Sequence, residues 1–349
     1  MPCSKRILLH AGILIALALA LTAVVFAQNE PAAPPRTQVP PSVSDQSATL
    51  PQDTAQPSQT LPSAGQEPIT EDQSRFVFKK DVQEVVLHAT VVDEAGHLVT
   101  GLDKTAFSVF QNGIPEPITS FRREDVPVAL GIVIDNSGSM RDKREQVNQA
   151  VLNLIRASNP LDEIFVVNFS QTSYLDQDFT SDVKLLQAAL RQTTMRGSTA
   201  LYDAVVASAN HLRQNPRLDK KVLLVITDGQ DNMSRETLQE AMQQLQPAKG
   251  PVVYAIGVTA EGFSRSGHDA LQTLASSTGG VAFFPDNLSD VDTITRSVAR
   301  DIRSQYTLAY KPSNLKSGYQ AITVDAKAPG RGRLTVRTRK GYYPGETLR

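Results

Sequence analysis

The stretch Val128-Ala-Leu-Gly-Ile-Val-Ile-Asp135-Asn-Ser137-Gly-Ser139-Met140 decides the fold, because in it an unbroken apolar run ends abruptly in polar residues. An apolar run without alternation is typical of a strand buried on both faces in the middle of a parallel sheet. Open α/β sheets bind their ligands at the carboxyl ends of such strands. We therefore expect the polar ending to lie at a ligand-binding edge.

The polar ending carries three small oxygen donors, on Asp135, Ser137 and Ser139. Gly138 is expected to permit a tight turn that lets the three side chains converge. Hard cations such as Mg²⁺ prefer oxygen ligands of this kind. The pattern alone also fits a strand-to-helix turn in which the serines cap a helix, so the remaining ligands must come from elsewhere in the chain.

Strand-like and helix-like stretches alternate between residues 126 and 303. After the opening strand, the hydrophobic spacing predicts strands at 163–169, 221–227, 251–258 and 281–284, and helices at 142–158, 182–191, 200–213, 235–245, 268–277 and 291–303. A short antiparallel edge strand is expected at 173–175. This alternation predicts an α/β fold with a doubly wound, mostly parallel, Rossmann-like sheet.

Two later loops offer further oxygen donors. Asp228 and Gly229 directly follow the predicted strand 221–227, and Thr199 directly precedes the predicted helix 200–213. If the opening strand and strand 221–227 are neighbours where the strand order reverses, all three loops face one crevice. The sequence therefore predicts a single site.

The residues of these loops resemble the metal-ion-dependent adhesion site of the von Willebrand factor A domain at all five positions, which are Asp135, Ser137, Ser139, Thr199 and Asp228. The similarity covers about residues 126–303. It implies that the three hydroxyls coordinate a divalent ion, Mg²⁺ with Mn²⁺ or Ca²⁺ as alternatives, and that both aspartates act directly or through water. A protein partner's Asp or Glu carboxylate would complete the coordination.

The segments on either side, residues 75–125 and 304–349, are rich in short β-like stretches. Strands are expected at 82–92, 98–100, 107–110 and 118–121, and again at 305–310, 320–326 and 334–339; the pair Asn112-Gly113 predicts a hairpin. Each set is too small to stand alone, so we expect both flanks to build one β-sandwich. Residues 99–102, 107–113 and 339–343 also resemble a bacterial group of von Willebrand A-related proteins.

The N-terminal residues have the parts of an export signal. Lys5 and Arg6 precede an apolar run that ends at Val25-Phe26-Ala27, which predicts a signal peptide over residues 1–27. The run is also long enough to span a bilayer, so an uncleaved signal anchor remains an alternative. Either interpretation predicts a periplasmic, cell-surface or secreted protein, and only an uncleaved segment would hold it at the membrane.

Residues 28–74 hold nine of the chain's 21 prolines and few large apolar residues, which predicts a disordered tether. The single cysteine, Cys3, precedes the apolar run, so once the signal is removed the mature chain would have no thiol for disulfides or zinc. The formal net charge is −1, which gives no indication of nucleic-acid binding.

Other candidate residues carry weaker signals. Asp231 and Asn232 follow Asp228-Gly229 and are weak candidates for contacting the partner, although a polar exit turn explains them as well. Arg331, Arg333, Arg337 and Arg339 are expected to lie on a solvated or edge-protecting face of the last strand, with contact to an anionic surface as the alternative. The sequence contains no Gly-x-Ser-x-Gly nucleophile elbow and no phosphate-binding glycine loop.

The sequence thus predicts an exported, metal-dependent, adhesion-type binding module rather than an enzyme. Neutral hydroxyl ligands leave much of the ion's charge free to attract a carboxylate. One alternative is a Mg²⁺-dependent phosphohydrolase with Asp135 as its nucleophile, but that class would want a second acid where Ser137 stands. The other is an envelope structural or assembly factor in which the metal only stabilises the fold.

Overall fold

The computed structural model describes residues 37–38, 84–123, 125–192, 197–215, 217–258, 264–314 and 316–344. The predicted signal segment, 1–27, lies outside these residues, and so does the predicted tether except for 37–38. No helix within the described residues is both long and apolar enough to cross a membrane.

The strands of the described chain are β1 (Thr37–Gln38), β2 (Val85–Val92), β3 (Phe107–Gln111), β4 (Ile114–Glu116), β5 (Ile118–Arg122), β6 (Val128–Asp135), β7 (Glu163–Phe169), β8 (Ser173–Thr180), β9 (Lys220–Thr227), β10 (Val252–Gly257), β11 (Ala282–Phe283), β12 (Tyr306–Tyr310), β13 (Gln320–Ala326), β14 (Thr335–Arg337) and β15 (Gly341–Tyr342). The α-helices are α1 (Arg144–Ala157), α2 (Val183–Arg191), α3 (Leu201–Gln214), α4 (Leu238–Leu245), α5 (Arg265–Thr278) and α6 (Asp290–Arg303).

The central sheet has seven strands in the order β1-β8-β7-β6-β9-β10-β11. The strands β7, β6, β9, β10 and β11 run parallel, while β8 pairs antiparallel with β7. Every residue of β6 is buried, as the apolar run predicted. The predicted α/β fold with a mixed, largely parallel sheet is therefore confirmed.

Helices cover both faces of this sheet, which explains why its strands lack alternation. One hydrophobic cluster joins the sheet to α1, α2 and α6, and a second joins it to α3, α4 and α5. Within the second cluster, a Cβ on Gly131 of β6 would lie 2.3 Å from Cζ of Phe165 on β7. Glycine is needed at this position because the Phe165 ring packs directly over the backbone.

The strand order reverses beside β6. The chain leaves β6 for β7 on one side and returns to β9 on the other, so β6 and β9 are neighbours at the switch point. Their carboxyl ends, Asp135 and Thr227, come to the same edge of the sheet. This topology brings together the loops that the sequence predicts to be functional.

The predicted edge strand at 173–175 extends to Thr180, because β8 continues along β7 with irregular register. Its outer side pairs with β1, where Thr37 is opposite Leu175 and Gln38 is opposite Tyr174. Those two tether residues therefore form a short strand, contrary to the expectation of disorder throughout 28–74.

The flanks form two four-stranded sheets, ordered β14-β2-β12-β5 and β15-β13-β3-β4. Each sheet combines strands from both flanks: β2 pairs antiparallel with β12, and β3 with β13. One hydrophobic cluster contains side chains from both sheets, including Leu87, Phe107, Tyr306 and Val324. Neither flank could assemble these sheets without the other.

The predicted hairpin joins β3 to β4 through Asn112 and Gly113, whose φ angles are 51° and 79°. Two consecutive positive φ angles are what a type I′ turn requires. The expected strand at 98–100 is wrong, because Leu98 makes only an isolated bridge to Val92.

The expected solvated arginine face is also wrong for Arg339, because β14 ends at Arg337 and the strand alternation stops there. Arg339 is buried and donates hydrogen bonds to the carbonyl oxygens of Pro247, Ala248 and Gly250, at 2.7, 3.0 and 2.5 Å. These carbonyls lie just beyond α4, so Arg339 ties the C-terminal flank to the α/β domain.

Candidate metal-binding site

The predicted site residues lie at the edge of the sheet where β6 and β9 end. Asp135 is the last residue of β6. Ser137 lies just before the short 3-10 turn Gly138–Met140, and Ser139 lies within it. Asp228 directly follows β9, and Thr199 lies two residues before the start of α3.

Asp135 is the innermost of these residues, with no exposed surface. Its Oδ1 accepts a 2.8 Å hydrogen bond from the backbone N–H of Ser137. Its Oδ2 accepts a 2.6 Å hydrogen bond from the Thr227 hydroxyl. Burial raises the pKa of Asp135, and the nearby charge of Asp228 acts in the same direction, while the hydrogen bonds from Thr227 and Ser137 oppose the rise.

A chain of side-chain contacts links the two sides of the crevice. The hydroxyls of Ser137 and Ser139 are 3.1 Å apart, and Ser139 Oγ donates to Asp228 Oδ1 at 2.8 Å. The other oxygen of Asp228, Oδ2, forms an ion pair with the Lys143 ammonium. Only 1% of the Asp228 side chain is exposed, compared with 19% of the Lys143 side chain.

Thr199 reaches the same crevice from the loop before α3. A Cβ placed on Gly229 would lie 3.3 Å from Thr199 Oγ1 and 3.9 Å from Asp135 Oδ2. Both oxygens therefore border the space above Gly229, which a larger residue would fill. The structure thus brings Thr199 together with the four other residues of the predicted site.

Asp231 and Asn232 hold the Thr199 loop in place. Asn232 Oδ1 accepts a 2.9 Å hydrogen bond from the Thr199 N–H, and the Asn232 N–H donates to the Thr199 carbonyl at 3.0 Å. Asp231 Oδ2 accepts from the N–H of Tyr202 in the first turn of α3, at 3.2 Å. Free N–H groups at the start of a helix need such acceptors. These contacts give both residues a positioning role, while contact with a partner stays a prediction.

Gly138 does not have the special conformation that was expected of it. It is not among the described glycines with positive φ, and a Cβ at this position would meet nothing within 4 Å. The turn at Ser137 and Ser139 is held instead by hydrogen bonds from the backbone and side chains of its neighbours.

Sequence reasoning missed the site's cationic residues. The buried Arg144 donates a 3.1 Å hydrogen bond to the Asp135 carbonyl and a second hydrogen bond to Asn168 Oδ1 on β7. Lys143 stands at the N-cap of α1, where the helix dipole disfavours a positive charge. A lysine at the start of a helix is electrostatically unfavourable, and this feature of the sequence could have indicated that Lys143 needs a nearby carboxylate.

The donor set fits a hard divalent cation. It offers the carboxylates of Asp135 and Asp228 and the hydroxyls of Ser137, Ser139 and Thr199 at one edge of the sheet, and the described residues contain no cluster of three or more His, Cys, Asp or Glu that could hold a metal. Oxygen donors with few charges suit Mg²⁺ or Mn²⁺ and do not suit a thiolate or imidazole site. Asp135, Ser137, Ser139, Thr199 and Asp228 are the residues that would hold such an ion.

Several solved structures resemble this one. The von Willebrand factor type A protein from Catenulispora acidiphila is 14% identical over 77% of this chain and 76% of its own, with a TM-score of 0.45. The von Willebrand factor domain of the type V pilus tip protein Mfa5 from Porphyromonas gingivalis is 14% identical over 51% of this chain and 95% of its own, with a TM-score of 0.45. The conserved hypothetical protein BatB from Bacteroides thetaiotaomicron is 20% identical over 50% of this chain and 97% of its own, with a TM-score of 0.40. Identities this low transfer no functional residue to this chain.

Sequence comparison gives the more direct assignment. No curated protein matches the chain. The family model of the von Willebrand factor type A domain matches residues 130–230, a span that includes the five predicted metal ligands, most of β6 and all of β9. Residues 130–230 thus match the von Willebrand factor type A domain family.

Proposed function

We propose that this chain is an exported protein-binding module that captures an Asp or Glu carboxylate of a partner through a divalent cation. Asp135, Ser137, Ser139, Thr199 and Asp228 would hold the ion, with Mg²⁺ as the first choice and Mn²⁺ or Ca²⁺ as alternatives. The observation that carries the proposal is the convergence of these five oxygen-bearing side chains on one crevice between β6 and β9.

The charge balance of the crevice favours binding of an anion over catalysis. Three of the five donors are neutral hydroxyls, so an ion held there keeps most of its positive charge. An incoming carboxylate would therefore be attracted strongly, which is the property that an adhesion-type site requires.

The buried position of Asp135 counts against the phosphohydrolase alternative. Both of its carboxylate oxygens accept hydrogen bonds, from Ser137 and Thr227, and its side chain has no exposed surface. A nucleophile needs a free oxygen aimed at the substrate. We therefore propose that Asp135 supports the ion and does not attack a substrate.

Export is proposed on sequence grounds, from the basic residues and apolar run in residues 1–27. We further infer that the two four-stranded flank sheets pack face to face as a β-sandwich, since one hydrophobic cluster contains side chains from both. This small domain would present the α/β domain at the end of the tether.

Capture of a partner from the native envelope tests this function. The full chain without residues 1–27 would be immobilised and incubated with solubilised envelope in Mg²⁺ or in EDTA. We expect a specific protein to be retained in Mg²⁺, released by EDTA, and absent with Ser137→Ala, which removes one ligand hydroxyl.

Asp325→Ala provides the matched control, because Asp325 is exposed on β13, away from the crevice. Asp325→Ala should retain the same protein as wild type. Retention that is equal in Mg²⁺ and EDTA, or equal for wild type and Ser137→Ala, would contradict the proposed function.

A further inference from the structure

Lys143 occupies an unusual place beside the crevice. Its ammonium pairs with Oδ2 of Asp228, while Ser139 Oγ donates to Oδ1 of the same carboxylate at 2.8 Å. The carboxylate is almost completely shielded from water, and a buried carboxylate needs a compensating charge. Among the described residues, Lys143 is the cation that forms an ion pair with Asp228.

The location of Lys143 on its helix makes this pairing informative. It is the N-cap residue of α1, where the unpaired N–H groups of the first turn repel a positive charge. Its side chain is 19% exposed, so its flexible stem has a route to solvent. The ammonium is therefore held in the crevice by Asp228 and not by its own helix.

We propose that Lys143 is an internal counter-cation that competes with the divalent ion for Asp228 and so sets the affinity of the site. This inference rests on the proposed metal-binding function. In the metal-free protein the ammonium neutralises Asp228 and keeps the crevice assembled. When the divalent ion binds, Asp228 turns to the ion and Lys143 moves towards solvent.

The physical reason is that the Lys143 ammonium and the divalent ion would both interact with the buried carboxylate of Asp228. A divalent ion must replace the attraction between Asp228 and the ammonium, and until the ammonium leaves, its positive charge also repels the incoming ion. Both effects lower its apparent affinity. Both losses of affinity should disappear if the side chain at position 143 is neutral. Both should increase if that side chain is a cation that binds Asp228 more firmly.

Two substitutions separate these effects. Lys143→Met keeps an unbranched stem of similar length and removes the charge. Lys143→Arg keeps the charge and offers a planar fork that can bind both oxygens of a carboxylate. Asp325→Ala again serves as a control for an exposed acid outside the crevice.

Calorimetric titration with Mn²⁺ at fixed pH and ionic strength provides the first readout. We expect Lys143→Met to bind Mn²⁺ on the order of tenfold more tightly than wild type, and Lys143→Arg to bind more weakly. Equal or weaker binding by Lys143→Met would overturn the inference while leaving the proposed function intact. Absence of binding by wild type and both variants would overturn the proposed function and the inference with it.

Thermal unfolding provides a readout that a purely structural role would not reproduce. In EDTA, Lys143→Met should melt at a lower temperature than wild type, because Asp228 loses its counter-charge. Saturating Mg²⁺ should then raise the Tm of Lys143→Met by more than it raises that of wild type. If Lys143 only supports the fold, the loss in Tm would be the same with and without Mg²⁺, and the inference would fail.

Discussion

The hydroxyl of Thr227 donates a 2.6 Å hydrogen bond to Oδ2 of Asp135, joining the last residue of β9 to the last residue of β6. Both residues are fully buried. The same hydroxyl also accepts a 3.1 Å hydrogen bond from the Gly229 N–H, so it connects the Asp135 carboxylate to the turn that carries Asp228. The site is therefore built on a bond between the two central strands.

Replacing Thr227 with Val should destabilise the metal-free protein, because the buried Asp135 carboxylate would lose a donor without gaining a water. A lost hydrogen bond to a buried charged group costs about 2 kcal/mol in the free energy of unfolding. Urea denaturation in EDTA measures this cost. Thr227→Ser, which keeps the hydroxyl, should lose less than half as much, and equal losses for both variants would refute the role of the hydroxyl.

Gly229 is the position where added volume should affect the site without affecting the core. In Gly229→Ala the new Cβ would lie 3.3 Å from Thr199 Oγ1, so the hydroxyl must move by a few tenths of an ångström from its present position. We expect Mg²⁺ affinity to fall about tenfold, corresponding to about 1.4 kcal/mol.

The neighbouring loop supplies the control for this substitution. A Cβ on Gly138 meets nothing within 4 Å, so Gly138→Ala should leave the Mg²⁺ affinity unchanged. Isothermal titration of both variants distinguishes a local steric effect from a general loss of loop flexibility. Equal loss in both would contradict the proposed position of Thr199 at the ion.

Asn232 should act through Thr199 and not through the partner. In Asn232→Ala the Thr199 N–H loses its 2.9 Å acceptor, which should cost about 1 kcal/mol of stability and weaken Mg²⁺ binding several-fold. Thermal melts and Mg²⁺ titration measure the two effects. If Mg²⁺ binding is unchanged while capture of the envelope partner is lost, Asn232 is a partner-binding residue instead.

Much of the site could be predicted because it depends on features that the sequence displays directly. The apolar run of β6 and the run before Asp228 identify two buried strands, and their polar ends must share an edge if the strands are neighbours. The Asn112-Gly113 turn was predictable for a similar reason, since few residues adopt two successive positive φ angles.

The missed features depend on contacts between residues that are distant in sequence. The Thr227–Asp135 bond depends on the register of β9 against β6, and the Lys143–Asp228 pair spans 85 residues. Arg339 was misplaced because the period of two holds only within a strand, and β14 ends two residues earlier. Beyond that end, the carbonyls after α4 decide the side chain's direction.

The buried Lys220 should make stability depend on alkaline pH. Burial lowers the pKa of Lys220 from 10.5 to about 8, against the opposing charges of Asp125, Asp162 and Asp301. Between about 8 and 10.5 the unfolded chain binds the proton more readily than the folded protein does. Stability contributed by this group therefore rises as pH increases through that window, by about 3 kcal/mol at most.

Comparison with Lys220→Met isolates this effect from other groups that titrate at the same pH. The free energy of unfolding of wild type minus that of Lys220→Met should increase between pH 7.5 and pH 10, as measured by urea denaturation at both values. A difference that stays constant or decreases would show that the Lys220 pKa is not lowered in the folded protein.

The central claim is that the crevice between β6 and β9 binds a divalent cation through Asp135 and its four partner residues. Isothermal titration of the full chain without residues 1–27 with Mg²⁺ tests it most directly, with Asp135→Ala as the site variant and Asp325→Ala as the control. We expect one ion to bind per chain for wild type and Asp325→Ala, and no saturable binding for Asp135→Ala. Absence of binding by wild type, or binding that Asp135→Ala leaves unchanged, would contradict the claim.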